Sequence, residues 1–498
     1  MASPPVDPPV DQRVRRDRPE QRDRHAAPAR RANARYTPLD APGPLPADMV
    51  RAVPAIARDP LGYLAAVVAR HGDLVAFPMP RGAVLLVNDP AGVRRVLQDN
   101  PRNYGKRTVQ YTALAAVTGE GLLTSDGEVW RAHRQVLRPA FHHRAVAGFA
   151  GESVAAGEHL RAAWDSAGVA DADALVMRAM LGLVGRTLFS ADLDAGAGRI
   201  VAAVDAALHL LVRRARSPLP ASWPTPSRHR LARAVRVLDA TVAELVAERR
   251  ARRRREAAAG QVVDGDVLDL LLAAADAGGL GAREVRDEVV TLVIAGYETV
   301  ASSLVWTLSL LADHPPVQDA LAAELDAVLA GRPPTVADLG SLTLTRAVID
   351  ESLRLYPPAW VITRRALADD EIAGVRVPAG TLVIVSPWLL HRRADSWPAP
   401  STFDPTRFLD AAGPGRTTAP RSDYLPFGLG PRLCIGRDAA LLEATLVLAT
   451  LLRDRRVARP PGARTPAPQA LVTLRPRGGC PLTLTPTRPA PPAHPTTR

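Results

Sequence analysis

The stretch "FGLGPRLCIG", residues 427–436, holds one of only two cysteines in 498 residues. Gly428, Gly430 and Gly436 crowd around Cys434, and Arg432 stands two positions before it. Glycine is used where the backbone must turn through positive φ or approach something closely. Phe427, Gly430, Arg432, Cys434 and Gly436 fit F-x-x-G-x-R-x-C-x-G, which random usage of this composition would produce in roughly 1 in 10⁵ such chains. The plain alternative is a buried cysteine in a loop before the helix-forming run "RDAALLEATLVLATLLRD" (437–454).

Length and composition allow a large buried core, with 47% hydrophobic and 4% aromatic residues. The formal net charge of +12 is uneven: many arginines fall in the first 35 residues, and "RRARRRRE" (249–256) is a second dense run. Such a balance suits nucleic acid or an anionic membrane. No aromatic-interleaved basic motif or helix-turn-helix pattern accompanies it, so the arginines read as a solvated tail and solvated loops. The N-terminus "MASPPVDPPVDQRVRRDRPEQ" has no apolar core after its charges and does not read as a signal peptide. Two cysteines make no disulfide framework, and a Cys434–Cys480 bridge is disfavoured in the reducing cytoplasm this usage suggests.

Residues 1–36, rich in Pro, Arg and Asp, and 488–498 read as disordered tails around one unit at 37–487. The segments "LVAFPM" (74–79) and "AVLLVND" (83–89), joined by Pro80, Arg81 and Gly82, read as a β-hairpin. Arg283 to Asp313 lacks any proline and predicts one helix of about 45 Å, stopped by "HPP" (314–316). Glu298, Thr299, Ser302 and Ser303 interrupt its apolar run, which favours a buried core helix over a membrane span. Strand composition returns in "VRVPAGTLVIVS" (375–386) and "LVTLRPRGGCPLTLTP" (471–486), the latter with Gly478 and Gly479 at a predicted hairpin. The fold class is mainly α with a small, late β portion.

At the pattern around Cys434 the chain resembles the cytochrome P450 family, whose haem-binding signature this is, over roughly residues 37–487. The resemblance implies the cytochrome P450 fold: a single haem domain, a long central helix over haem b, and Cys434 as the iron's ligand. A thiolate on haem iron donates electron density that favours O–O cleavage. Backbone N–H groups around Gly436, and the positive end of the helix that follows, would stabilise the sulfur. Arg432 would pair with a haem propionate, and Phe427 would pack against the loop and shield it. "AGYETV" (295–300) resembles the family's oxygen-activation groove. There Thr299 can bond the Ala295 carbonyl four residues back and loosen the helix. Gly296 would leave room for a small ligand, and Glu298 with Thr299 would manage protons. Val300 departs from the Thr or Ser common at that position.

"ESLR" (351–354) places Glu351 and Arg354 on one helical face and matches the family's E-x-x-R. With Arg407 of "FDPTRF" (403–408) it implies a buried cluster supporting the cysteine loop, costly unless complete. "DGEVWRAHR" (126–134) puts Trp130 and Arg134 one turn apart, both able to reach haem carboxylates. Arg365, five residues before Asp370, matches a further propionate ligand. His133, His142 and His143 have no third ligand at metal-site spacing and read as ordinary polar residues.

These implications converge on a soluble, cytoplasmic haem-thiolate monooxygenase that inserts one atom of O₂ into a C–H or C=C bond. No flavin or iron–sulfur motif follows the haem segment, so electrons would come from a separate ferredoxin or flavodoxin and its reductase. Arg131, Arg138 and Arg437 suit docking of such an acidic partner. A peroxygenase or isomerase on the same fold would usually lack the acid–threonine pair, and a non-catalytic recruitment module would be expected to have lost the cysteine. Leu114, in a predicted loop, with Ile294, Trp360, Val361 and Ile362, is expected to face an apolar pocket. Its substrate would be lipophilic: a terpenoid, fatty acyl chain or polyketide.

Overall fold

The structure, a computed structural model, describes residues 39–79, 82–193, 197–215, 225–260, 265–409 and 422–487. The tails predicted at 1–36 and 488–498 lie outside these residues. Ten helices position the site: α1 (Val109–Thr118), α2 (Gly127–Leu137), α3 (Ala150–Ala167), α4 (Ala172–Phe189), α5 (Ala197–Ala215), α6 (Pro226–Ala258), α7 (Val267–Asp276), α8 (Ala282–Asp313), α9 (Thr343–Leu355) and α10 (Arg437–Leu452). Short polar side chains start several of them, as the orphan N–H groups of a first turn require. Thr108 caps α1, Asp171 caps α4, and Asp266 accepts from Leu268 and Asp269 at the head of α7.

The proline-free segment is indeed one helix, α8, and it stops at His314 before the two prolines. It is the one described helix long and apolar enough to cross a membrane, and 83% of its apolar window is buried inside the protein. α8 packs along α4 and also touches α9 and α10, so it forms the axis of the main core. Its buried hydroxyls are tied to neighbouring elements: Ser302 Oγ and Trp306 Nε1 both donate to the Leu474 carbonyl, at 2.6 and 2.9 Å.

Beside the helical body stands a sheet of five strands, β1 (Leu74–Phe77), β2 (Val84–Val87), β3 (Tyr104–Gly105), β5 (Ile362–Ala366) and β8 (Leu382–Val385). Their order across the sheet is β1–β2–β8–β5–β3. β1 and β2 form the predicted hairpin, while β2 runs parallel to β8. Beneath the sheet, Leu85, Val87, Val383 and Val385 share a core with Leu425 and Leu429 of the cysteine loop. The remaining strands are β4 (Val169–Asp171), β6 (Asp370–Ile372), β7 (Val375–Val377), β9 (Arg455–Ala458), β10 (Pro468–Ala470), β11 (Leu474–Pro476) and β12 (Pro481–Pro486).

Two expectations about these regions are corrected. Gly478 and Gly479 do turn the chain at positive φ (79° and 89°), but β11 pairs with β10 whereas β12 pairs with β4 and β9. A distant contact accompanies this pairing: the Cys480 N–H donates to Asp171 at 2.8 Å, which draws the outgoing strand onto β4 instead of back onto β11. The arginine run 249–256 is not a loop but the last turns of α6, where basic residues suit the negative helix end. Arg249 is buried there, 2.5 Å from Asp266 and 2.7 Å from Asp269, and it ties α6 to α7.

Candidate active site

The cysteine loop is held from below before its sulfur is considered. Glu351 and Arg354 of α9 are both fully buried and paired through two contacts of 2.6 and 2.7 Å. Arg407 completes the cluster at 3.4 Å from Glu351. Arg354 also donates to the carbonyls of His391, Pro400 and Thr402, so no buried charge is left bare. His391 then joins this cluster to the loop. Its Nδ1 bonds the Arg354 carbonyl at 3.1 Å and its Nε2 accepts the Leu425 N–H at 2.9 Å. One nitrogen donates and the other accepts, which requires a neutral ring, and burial pushes its pKa down to about 3. Sequence reading missed His391, whose role comes from contacts 34 and 37 residues away.

Two loop glycines are required by conformation. Gly428 and Gly430 have φ of 78° and 71°. At Gly430 an added Cβ would stand 2.0 Å from the Leu97 carbonyl oxygen, a backbone atom that cannot step aside. Gly436 differs: its φ is negative and a Cβ there would make only ordinary contact with Phe141. Its contribution is its N–H, which bonds the Cys434 sulfur. The Cys434 N–H is itself fixed by the Phe427 carbonyl at 2.9 Å, and α10 begins three residues after the sulfur. Burial pushes the Cys434 thiol up, while the Gly436 N–H, Arg134 and Arg437 pull it back toward thiolate. The Cys434 side chain keeps accessible surface. Both cysteines are free.

α8 shows a matching window. Between Asp287 and Ser309 only Ala295, Gly296 and Thr299 escape burial. The Thr299 hydroxyl donates to the Ala295 carbonyl at 2.7 Å, as its spacing predicts. The reading of Gly296 is corrected: a Cβ there would meet Val184 of α4 at 3.0 Å, so this glycine serves the close packing of α8 on α4. Glu298 does not turn toward Thr299. It is buried and accepts the Thr473 hydroxyl at 2.6 Å, and burial lifts its pKa to about 7.

The edge of the site is a cluster of cations. Arg432 lies 4.1 Å above the Trp130 ring and bonds Asp126 and the Ser125 carbonyl, while its Nη1 is buried without a partner. Arg134 lies over the same ring at 5.8 Å. Arg365 is not part of it: its guanidinium points the other way, to the carbonyls of Arg107 and Gly380. Successive strand residues face opposite sides, and it is Arg364 that turns inward, buried, with Nη1 3.3 Å from the Tyr111 hydroxyl. The antiparallel pairing Gly105↔Arg365 brings the next residue, Lys106, beside Arg364. Lys106 is buried, its ammonium on the Leu123 carbonyl at 2.8 Å, and burial together with Arg364 and Arg432 drives its pKa well down. Lys106, Arg364, Arg432 and Arg134 thus gather with one carboxylate, Asp126, among them. Such an excess is unfavourable without an anion, and an orphaned guanidinium N–H says where one would sit. A flat dianionic cofactor with a metal that binds thiolate fits this donor set.

The expected pocket residues divide. Ile294 lines an apolar pocket with Leu193, Ile200, Leu238, Val242 and Val293. Leu114 is on α1 rather than in a loop, and is buried in the main core. Ile362 belongs to the core beneath the sheet, because it opens β5. Trp360 is tied by its Nε1 to the Leu471 carbonyl at 2.9 Å and Val361 accepts from Gln110, and both are half-buried. His133, read as an ordinary polar residue, is buried and paired with Glu288 of α8. Among the described residues no group of three or more His, Cys, Asp or Glu could hold a metal ion.

The model of the family described as cytochrome P450 matches residues 42–480. Cyclooctat-9-en-7-ol 5-monooxygenase of Streptomyces melanosporofaciens is 37% identical over 86% of this chain and 91% of its own. Pentalenene oxygenase of Streptomyces avermitilis is likewise 37% identical, over 84% of this chain and 91% of its own. The crystal structure of CYP175A1 from Thermus thermophilus superposes with a TM-score of 0.71, at 30% identity, over 89% of this chain and 100% of that one. The chain belongs to the cytochrome P450 family: it is an oxidoreductase that uses haem b, O₂ and electrons from a redox partner to oxygenate lipophilic molecules.

Proposed function

We propose that the Cys434 thiolate would hold the haem iron and that Arg432, Arg364, Lys106, Arg134 and Trp130 would hold the haem propionates. The observation that carries this assignment is the cluster of four cations with Asp126 among them, and its orphaned Arg432 Nη1. Bound there, haem b would supply the iron chemistry that activates O₂ for transfer of one oxygen atom to the substrate. The protein's part is positional and protic. Gly436 N–H and the first turn of α10 stabilise sulfur as an anion. Thr299 presents a hydroxyl at the one open stretch of α8 between Asp287 and Ser309, anchored by the Ala295 carbonyl. Glu298, poised near neutral pH, is a proton store one residue away. Glu351, Arg354, Arg407 and His391 act through the loop and touch nothing that reacts.

The substrate is proposed to be a terpenoid-like polycyclic hydrocarbon or its alcohol. The names of the relatives, which act on pentalenene and cyclooctat-9-en-7-ol, support that reading. A cytoplasmic ferredoxin or flavodoxin would deliver electrons near Arg131, Arg138 and Arg437. The reduced, CO-bound spectrum tests the central assignment. Wild type should show the red-shifted band of a thiolate-ligated haem, and Cys434→Ser should lose it while melting normally. A Cys434→Ser variant that retains the band would overturn the assignment. Pentalenene-like probes should move the ferric Soret band on binding.

A further inference from the structure

Each turnover, RH + O₂ + 2e⁻ + 2H⁺ → ROH + H₂O, consumes two protons, and Glu298 holds one. Its carboxyl is buried, bonded to Thr473, and out of reach of solvent. A second titratable pair on α8 has no role in the assignments above. His133 of α2 and Glu288 of α8 are both buried, with Nδ1 2.5 Å from Oε1. On the outer side, His133 Nε2 lies 3.5 Å from Glu284, whose side chain is 42% exposed.

Three buried polar atoms here have no hydrogen-bond partner: His133 Nε2, Glu288 Oε2 and Thr291 Oγ1. They succeed one another inward from the surface. Glu284, Glu288, Thr291, Ala295 and Thr299 are spaced four, three, four and four apart, which keeps them within an arc of about 80° on one helix face. The stripe therefore begins at solvent and ends at the window where the Thr299 hydroxyl opens. The segment before α2 roofs it. A Cβ on Gly121 would come within 2.3 Å of Thr291 Oγ1, and the Leu122 N–H bonds Glu288. Glu288 Oε2 and Thr291 Oγ1 are thus left without a protein partner along this stripe.

We propose that His133, Glu288 and Thr291 form a proton relay that carries protons from Glu284 at the surface along α8 to the Thr299 hydroxyl. Glu288 gives its proton inward past Thr291 through water held by Thr291 Oγ1 and the Ala295 carbonyl. It takes a replacement from His133 across the 2.5 Å contact, and His133 recovers one from Glu284 and bulk water. Every group returns to its starting state, and one proton has moved. The titration of the pair is set by the groups around it. Burial raises Glu288 while His133 and the Leu122 N–H lower it; Glu284 and Glu288 raise His133; Asp287 opposes ionisation of Glu288. The buried face of α7, which packs on α2, is apolar: Val267, Leu268, Leu271 and Leu272.

The relay rests on the monooxygenase reading, and the test separates the two. Glu288→Gln keeps the volume and the bond to His133 but cannot pass a proton. In the haem-loaded protein with a ferredoxin and reductase, product per electron pair should fall about tenfold, less than the 10²–10⁴ of a sole general acid because Glu298 still acts. The electrons should appear as hydrogen peroxide, the solvent isotope effect should rise, and Glu288→Asp should restore part of the yield. An infrared pH titration, independent of turnover, should lose one carboxyl band in Glu288→Gln and keep it in Glu298→Gln. Should Glu288→Gln fail to take up haem, Thr291→Val, which removes only the hydroxyl, should show the same shift toward peroxide. Unchanged partition and isotope effect, with a lowered melting temperature, would reduce the pair to a latch between α2 and α8. Absence of the thiolate band in wild type would instead overturn the haem assignment itself.

Discussion

Adjacent arginines on one strand give a sharp test of the cofactor cradle. Arg364 is buried, and its hydrogen bonds in the described structure leave only from Nη1, to Tyr111 and to the Thr363 carbonyl at 2.9 Å. Its Nε and Nη2 remain to meet a propionate. Arg365 spends its donors on two carbonyls on the other face. Losing a charge-assisted hydrogen bond costs roughly 1.5–3 kcal/mol, so Arg364→Ala should weaken haem retention about 10- to 150-fold. The haem-free protein should respond with the opposite sign. Arg364 repels Lys106 and Arg432, and its removal leaves three cations with Asp126, so the apo chain should melt at the same temperature or higher. Haem transfer to an excess of a high-affinity acceptor gives the retention, and calorimetry of both forms gives the stabilities. Arg365→Ala should leave retention within about twofold, since exposed side chains away from such features are nearly neutral. Equal loss of haem from both variants, or a lower melting temperature for apo Arg364→Ala, would refute the reasoning.

Gly430→Ala should cost roughly 2–5 kcal/mol in chemical denaturation, combining about 1–2 for positive φ with about 1–3 for the clash on Leu97. Gly428→Ala, which meets nothing nearer than 4.0 Å, should cost only the first of these; equal costs would sink the close-approach argument. Glu443 of α10 is buried, and burial alone lifts its pKa to about 8 from 4.5. A carboxyl with a raised folded pKa stabilises fully below about 4.5 and loses that contribution as pH rises toward about 8. Glu443→Gln should therefore gain up to a few kcal/mol over wild type between pH 5 and 8.5 and nothing near pH 4, with melting temperature against pH as the readout. A difference that does not grow with pH would contradict it.

What the sequence made legible was whatever could be stated as residue types at fixed short spacing. Cys434 with its glycines, Glu351 with Arg354 and Thr299 with Ala295 are all contacts within one loop or one helical turn, and all three appear as read. The failures share the opposite character. Arg364 and Arg365 stand one residue apart, and in a strand one residue exchanges faces, which the spacing of Arg365 to Asp370 does not reveal. Lys106 and Tyr111 carry no local pattern; their place follows from β3 pairing with β5, about 260 residues along the chain. Gly478 and Gly479 turn as glycines do, yet the partner of the outgoing strand is decided by Asp171, three hundred residues earlier. His133 looked ordinary because its only tight partner, Glu288, lies 155 residues away.

The site divides into a frame that is complete and a rim that is not. Glu351, Arg354 and His391 meet their partners within the protein, so they hold the loop whether or not anything is bound. The rim holds four cations against one carboxylate, a lysine with its pKa driven down and a thiol with its pKa pushed up. Each of those shifts is a free-energy cost that an anion beside the rim and a metal on the sulfur would relieve. Ligand binding that releases such costs adds to stability in proportion to the logarithm of ligand excess. Haem should therefore stiffen the rim segments, 104–111, 126–134 and 428–436, far more than the frame at α9. A cofactor bound through shape alone would order both alike, because shape complementarity distinguishes no charged edge from the rest of the wall.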